Sequence, residues 1–201
     1  MEQHVPALLA AIVPGLLSVL LLGAVWIDIK SRRIPNELVF IGAGLGLLLN
    51  SVPSEGVDYI GALPGALGFW QAISGFGLGL AIMLPLHVLR AMGAGDVKLM
   101  AMVGAFLGPR ATVGAILLTF IAGGLLGLTV ALRNGTIRRL TENLHAMLLN
   151  GFFKMQLKQA PVLDAMPVCA GKMPYSVAIA VGTFSCIAIM RSGHSDFFKY
   201  F

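Results

Sequence analysis

Two aspartates are the residues of this chain best placed to do chemistry. Asp28 lies in Trp26-Ile27-Asp28-Ile29-Lys30 and Asp96 in Gly93-Ala94-Gly95-Asp96-Val97-Lys98, each at the margin of a long apolar run. An acid beside a membrane span is costly and needs a reason. Two carboxyl groups at one depth can hydrolyse a peptide bond: one takes a proton from water, while the other, protonated, donates to the carbonyl oxygen and then assists departure of the nitrogen. Gly93 and Gly95 suit that use, because glycine lets a substrate strand come close to the backbone. The competing account is that each aspartate pairs with the lysine two residues on, Lys30 or Lys98, at a solvated helix end. Spacing alone leaves both open.

The other candidates fall away. His4, His87, His145 and His194 are too far apart in sequence for a HExxH site, and the two cysteines, Cys169 and Cys186, exclude a four-thiolate zinc site or a multi-bridge disulfide framework. No dinucleotide or P-loop pattern is present, so no metal and no cofactor is expected.

The elements that must position the aspartates are membrane helices. Of 201 residues, 57% are hydrophobic and only 11% charged, with a mean hydropathy of +0.87; soluble domains carry about 25% charged residues. An all-α, polytopic membrane protein follows. Apolar runs cover 6–27, 38–52, 67–89, 99–107, 111–132 and 175–190, which makes about six transmembrane helices. The first is long enough to cross, at about 1.5 Å per residue against a core of about 30 Å. No A-x-A cleavage site follows it, so it is expected to be retained. The fourth, before Gly108-Pro109-Arg110, is short.

Charge counting arbitrates. With six spans and both termini outside, eleven Lys and Arg lie in cytoplasmic segments against three outside; merging 99–132 into one span leaves seven inside. The positive-inside rule favours six. It also explains the net charge of +5 by anionic lipid rather than nucleic acid. Two crossings separate Asp28 from Asp96, so both lie at the cytoplasmic face.

Gly42-xxx-Gly46, Gly75-xxx-Gly79 and Gly123-xxx-Gly127 read as helix-packing seams. Pro14 and Pro85 read as kinks. Residues 133–172 form a cytoplasmic loop in which Leu140, Leu144, Met147, Leu148, Phe152 and Met155 recur at helical spacing. It reads as an amphipathic anchor on the membrane surface, or as a contact for a substrate or assembly partner.

Gly93-Ala94-Gly95-Asp96-Val97-Lys98 resembles the GxGDxK motif of the type IV prepilin peptidases, and Asp28-Ile29-Lys30-Ser31-Arg32-Arg33-Ile34-Pro35-Asn36 is similar to that family's first catalytic segment. Lys172-Met173-Pro174-Tyr175 is similar too, although Ser176 stands where the family suggests glycine. The resemblance covers most of the chain from Asp28 onward. It implies a single membrane-embedded peptidase domain over 1–201, with Asp28 and Asp96 as the catalytic pair and Lys30, Pro35, Asn36, Gly93, Gly95 and Lys98 as substrate-binding or motif support. It further implies removal of a short basic leader from prepilin-like substrate proteins at the cytoplasmic face of a bacterial inner membrane.

Long members of that family carry a tetracysteine segment and methylate the new N-terminus; this chain is similar instead to the short form of tight-adherence, Flp-type pili. Presenilin-like proteases share GxGD but have Pro-Ala-Leu after the second aspartate, whereas here Pro6-Ala7-Leu8 precedes both. Two other classes compete. An ion-coupled transporter predicts an acid near mid-bilayer, and the apolar spans hold none, leaving His87 near the end of the third, read as a structural interfacial histidine. A noncatalytic secretion or pilus assembly subunit predicts no special need for the aspartates.

Overall fold

The structure, a computed structural model, describes residues 4–51, 67–89, 92–133 and 174–192. Among them every regular element is an α-helix: α1 (His4–Ser31), α2 (Asn36–Asn50), α3 (Phe69–Val88), α4 (Ala94–Arg133) and α5 (Tyr175–Arg191). Three stretches, Ile12–Ser31, Phe69–Val88 and Ala94–Val130, are long and apolar enough to cross a membrane; α2 and α5 are apolar but shorter. The amphipathic stripe expected within 133–172 lies outside the described residues.

α4 is not one rod. Gly108 has φ 74° and ψ 172°, left-handed torsions open to glycine and strained for other residues, and Pro109 follows. Tyr175 lines one cavity with Asp96, and a Cβ on Gly123 would lie 2.9 Å from the Tyr175 ring. In a straight helix Asp96 and Gly123 would stand about 40 Å apart. α4 therefore folds back on itself at Gly108, into arms 94–107 and 109–133, where the sequence places the boundary between its fourth and fifth apolar runs. α1 and α3 are helical through Pro14 and Pro85; among the described residues, Gly108 is where helical torsions are lost inside a helix.

The 94–107 arm is the central rod. Leu99, Met100, Ala101, Met102, Val103, Ala105 and Phe106 are all fully buried, as expected of a helix that is apolar all round. Lipid tails are as apolar as leucine, so close packing rather than escape from water holds such a helix. Small residues make the packing possible. A Cβ on Gly75 of α3 would collide with the Gly104 carbonyl oxygen, and one on Gly104 with the Gly75 carbonyl. Gly79 meets the Met100 carbonyl in the same way, while Gly42 and Gly46 of α2 face Met102 and Phe106. Gly127 has nothing within 4 Å, so the third expected seam extends only to Gly123, under Tyr175.

Breaking α4 leaves a backbone group to satisfy. The Ala105 carbonyl would take its helical hydrogen bond from residue 109, and proline has no N–H to give. Asn50, fully buried at the end of α2, donates from Nδ2 to Ala105 O at 3.0 Å and to Gly46 O at 3.0 Å. Asn50→Leu removes the donor and strands that carbonyl, so it should destabilise the bundle by about 1–3 kcal/mol. Thermal unfolding in detergent checks this; an unchanged melting temperature would show that the clamp contributes nothing.

These contacts fix the direction of every rod. Asn36, Gly42 and Gly46 meet Lys98, Met102 and Phe106 in turn, so α2 runs alongside the 94–107 arm in the same sense. The ends of α1 and α3, and the beginnings of α2, α4 and α5, gather at the end of the bundle that holds both aspartates.

Candidate active site

Asp28 sits in the last turn of α1. The helix stops because Arg32 takes a left-handed conformation, φ 53°, and its N–H closes on the Asp28 carbonyl at 2.8 Å. Ser31 Oγ ties that turn down by donating to Ile27 O at 2.8 Å. Asp96 is the third residue of α4, and its Oδ2 accepts from the Gly93 N–H at 3.3 Å while its own N–H donates to Gly93 O at 3.1 Å. This is half of a capping box, the N3 carboxylate reaching back to the N-cap N–H while a backbone turn closes on the Gly93 carbonyl, and a carboxylate is favoured at the positive end of the helix dipole. His87 supports the preceding turn: a carbonyl can only accept, so Nδ1 carries the proton it donates to Met92 O at 3.1 Å. The histidine thus fastens the end of α3 to the start of the Asp96 segment.

Both aspartates line one cavity of about 420 Å³. They lie near enough for the charge of Asp28 to act on Asp96. Asn36, Gly93, Gly95 and Lys98 line the same cavity, so six of the eight residues singled out in the sequence are brought together. Lys98 Nζ donates to Asn36 Oδ1 at 2.9 Å, joining the two motif segments directly. Gly95 is held against Ile34, 3.2 Å from where its Cβ would be. Pro35 and Lys30 are not among the lining residues. Pro35 precedes α2 in an extended conformation and so sets the position of Asn36, and Lys30 lies over the Trp26 ring, 4.6 Å from its centroid. The lysines of the pairing alternative are thus engaged by Trp26 and Asn36.

Four contributors carry no assignment from the sequence. Arg32 and Arg33 line the cavity, as does Tyr175. Ser176, fully buried in the first turn of α5, donates from Oγ to Asp28 Oδ2 at 2.6 Å. The Lys172–Tyr175 likeness pointed to that turn, but no spacing rule could place its serine on an aspartate 148 residues away.

A bundle of apolar helices, three of them long enough to cross a membrane, with two carboxyl groups sharing a cavity at one end, defines a membrane-embedded protein built around paired acids. Comparison with known proteins narrows the class. The type IV leader peptidase family matches over residues 15–128, more than half the chain and inclusive of both aspartates, and the chain belongs to that family. Among curated relatives, the prepilin leader peptidase/N-methyltransferase of Aeromonas hydrophila is 33% identical over 123 residues, 59% of this chain and 40% of that protein. Its counterpart in Aeromonas salmonicida (strain A449) is 32% identical over the same length. The match thus spans about two fifths of the length of these relatives. No solved structure matches the chain.

Proposed function

We propose that the chain is an aspartyl prepilin peptidase that removes the short basic leader of Flp-like prepilins at the cytoplasmic face of the inner membrane, without methylating the product. One observation carries the reading: Asp28 and Asp96, from separate helices, line one cavity together with the Asn36–Lys98 link. Family membership supports peptide-bond cleavage.

In this mechanism a leader strand lies across Gly93 and Gly95 with its scissile carbonyl between the two acids. The ionised carboxylate takes a proton from water as the oxygen bonds to the carbonyl carbon, and the protonated partner gives its proton to the carbonyl oxygen. The tetrahedral diol then collapses: the C–N bond breaks, the amine takes up the proton held by the first carboxyl, and the second regains its own. The substrate's apolar helix stays in the bilayer, and no cofactor takes part. Coexpression with a candidate prepilin should give a leader-sized mobility shift that depends on both aspartates.

The accompanying topology is six crossings, with the arms of α4 as the fourth and fifth and both termini outside. At about 1.5 Å per residue the 94–107 arm reaches only about 21 Å, so the bilayer thins there or neighbouring rods shield its ends. Its support is charge: Lys30, Arg32, Arg33, Lys98 and Arg133 fall at the aspartate end, Arg110 and Arg191 at the other. In a variant with Cys169 and Cys186 replaced by serine, a cysteine at Arg110 should react with an impermeant reagent in intact cells, and one placed within 136–159 should not. Labelling of the second site would remove a crossing and with it the common face of the aspartates.

A further inference from the structure

Ser176 behaves unlike the other described hydroxyls within the helices. Ser18, Thr112 and Thr119 each donate to the carbonyl four residues back in their own helix, a local bond that hydroxyls commonly make. Ser176 is the second residue of α5, where no carbonyl of its own helix lies four residues back, and its hydroxyl goes to another helix. The bond is 2.6 Å long, and a hydroxyl donating to a carboxyl oxygen favours the ionised form of that carboxyl. Asp96, by comparison, receives the Gly93 N–H at 3.3 Å, a longer and weaker bond. Among the described residues, the other titratable or charged groups on the cavity are Arg32 and Arg33 after α1, Asp96 and Lys98 on α4, and Tyr175 on α5. Ser176 reaches Asp28 from α5, by a direct hydrogen bond between side chains.

We propose that Ser176 is a positioning residue that holds Asp28 as the ionised member of the pair, which makes Asp28 the base toward water and Asp96 the acid toward the carbonyl oxygen. A pair of like acids is symmetric in principle, and a single hydroxyl on one of them is enough to break the tie. Fixing Oδ2 also fixes the plane of the carboxyl, so the remaining oxygen meets water at a set angle. This inference rests on the aspartyl-protease reading.

The test uses the purified full-length chain in lipid–detergent mixtures and a synthetic leader peptide continued into an apolar helix. Ser176→Ala should lower kcat about tenfold with KM nearly unchanged, because the lost hydrogen bond is to a charged group and acts on the reaction step. The acid limb of the pH–rate profile should also move up by about one unit, since the base has lost a donor to its charged form. Ser176→Thr restores a hydroxyl and should return the acid limb to its original position, whatever the added methyl does to kcat. An unmoved acid limb in Ser176→Ala overturns the proposal, as does a shift of the alkaline limb alone, which would make Asp28 the acid. An acid limb that stays displaced in Ser176→Thr also overturns it. Failure of the underlying reading looks different: Asp28→Asn would then still cleave.

Discussion

Asp28→Asn and Asp96→Asn should each abolish leader removal, lowering the rate by about a thousandfold or more while expression and insertion stay normal. Asparagine keeps the size of the side chain but can neither take a proton from water nor deliver one to a carbonyl oxygen. The double variant should be no slower than either single one, because groups that act as a unit are not additive. The local structure makes this a fair test of chemistry. Asp96 is replaceable as a helix cap, since asparagine can still accept from Gly93, and Asp28 can still accept from Ser176 through an amide oxygen. Glu55→Gln and Asp58→Asn, in the segment between the second and third apolar runs that the proposed six-span topology puts outside, should cleave normally. Near-normal turnover of a purified prepilin by either Asn variant at 28 or 96 would end the aspartyl-protease reading and return the aspartates to a structural role.

The second large effect concerns the seam between α3 and the central rod. Gly75→Ala and Gly104→Ala each drive a methyl into the backbone of the facing helix, and Gly75→Ala also meets the Gly108 backbone at 2.8 Å. A flexible side chain would swing aside; a carbonyl inside a helix cannot. The helices must separate, at a cost of about 1–3 kcal/mol or more. The displaced rod is the one that carries Asp96 in its first turn, so cleavage should fall together with the melting temperature. Gly77→Ala is the matched control: it lies on the same helix with nothing within 4 Å of its Cβ. The double variant at 75 and 104 should cost less than the two singles added, because both open the same contact. If Gly75→Ala melts with Gly77→Ala in detergent, the close approach of the two backbones is wrong.

Much of the candidate site could be read from the chain, because depth in a membrane is a property of sequence. Counting apolar runs and cations puts Asp28 and Asp96 at matching ends of their helices, and Asn36, Gly93, Gly95 and Lys98 travel with them by being neighbours. What the runs could not convey is rotation about each helix axis. Lys30 is two residues from Asp28 yet turns onto Trp26, and Pro35 sets up its neighbour without touching the cavity. Ser176 was visible as an odd residue in a familiar segment, but its partner lies on another helix. Gly104-xxx-Gly108 has the same small-residue spacing as the seams that were recognised; it was hidden by its place across the break in α4. Pro109 lacks an N–H for the Ala105 carbonyl, and no pattern in the chain shows that Asn50, 55 residues away, supplies the donor.

The hydrogen bond between Ser176 and Asp28 also sets a clock on biogenesis. Its two ends are separated by 148 residues, and a ribosome adding roughly 5–20 residues per second needs roughly 7 to 30 s to travel that distance. Throughout that interval α1 can already be in the membrane while the hydroxyl that steadies its carboxyl has yet to be made. The earliest of the described helices therefore waits for the last of them. The cavity is complete only when α5 has inserted, and a chain truncated before residue 176 holds both aspartates without the contact that tells them apart.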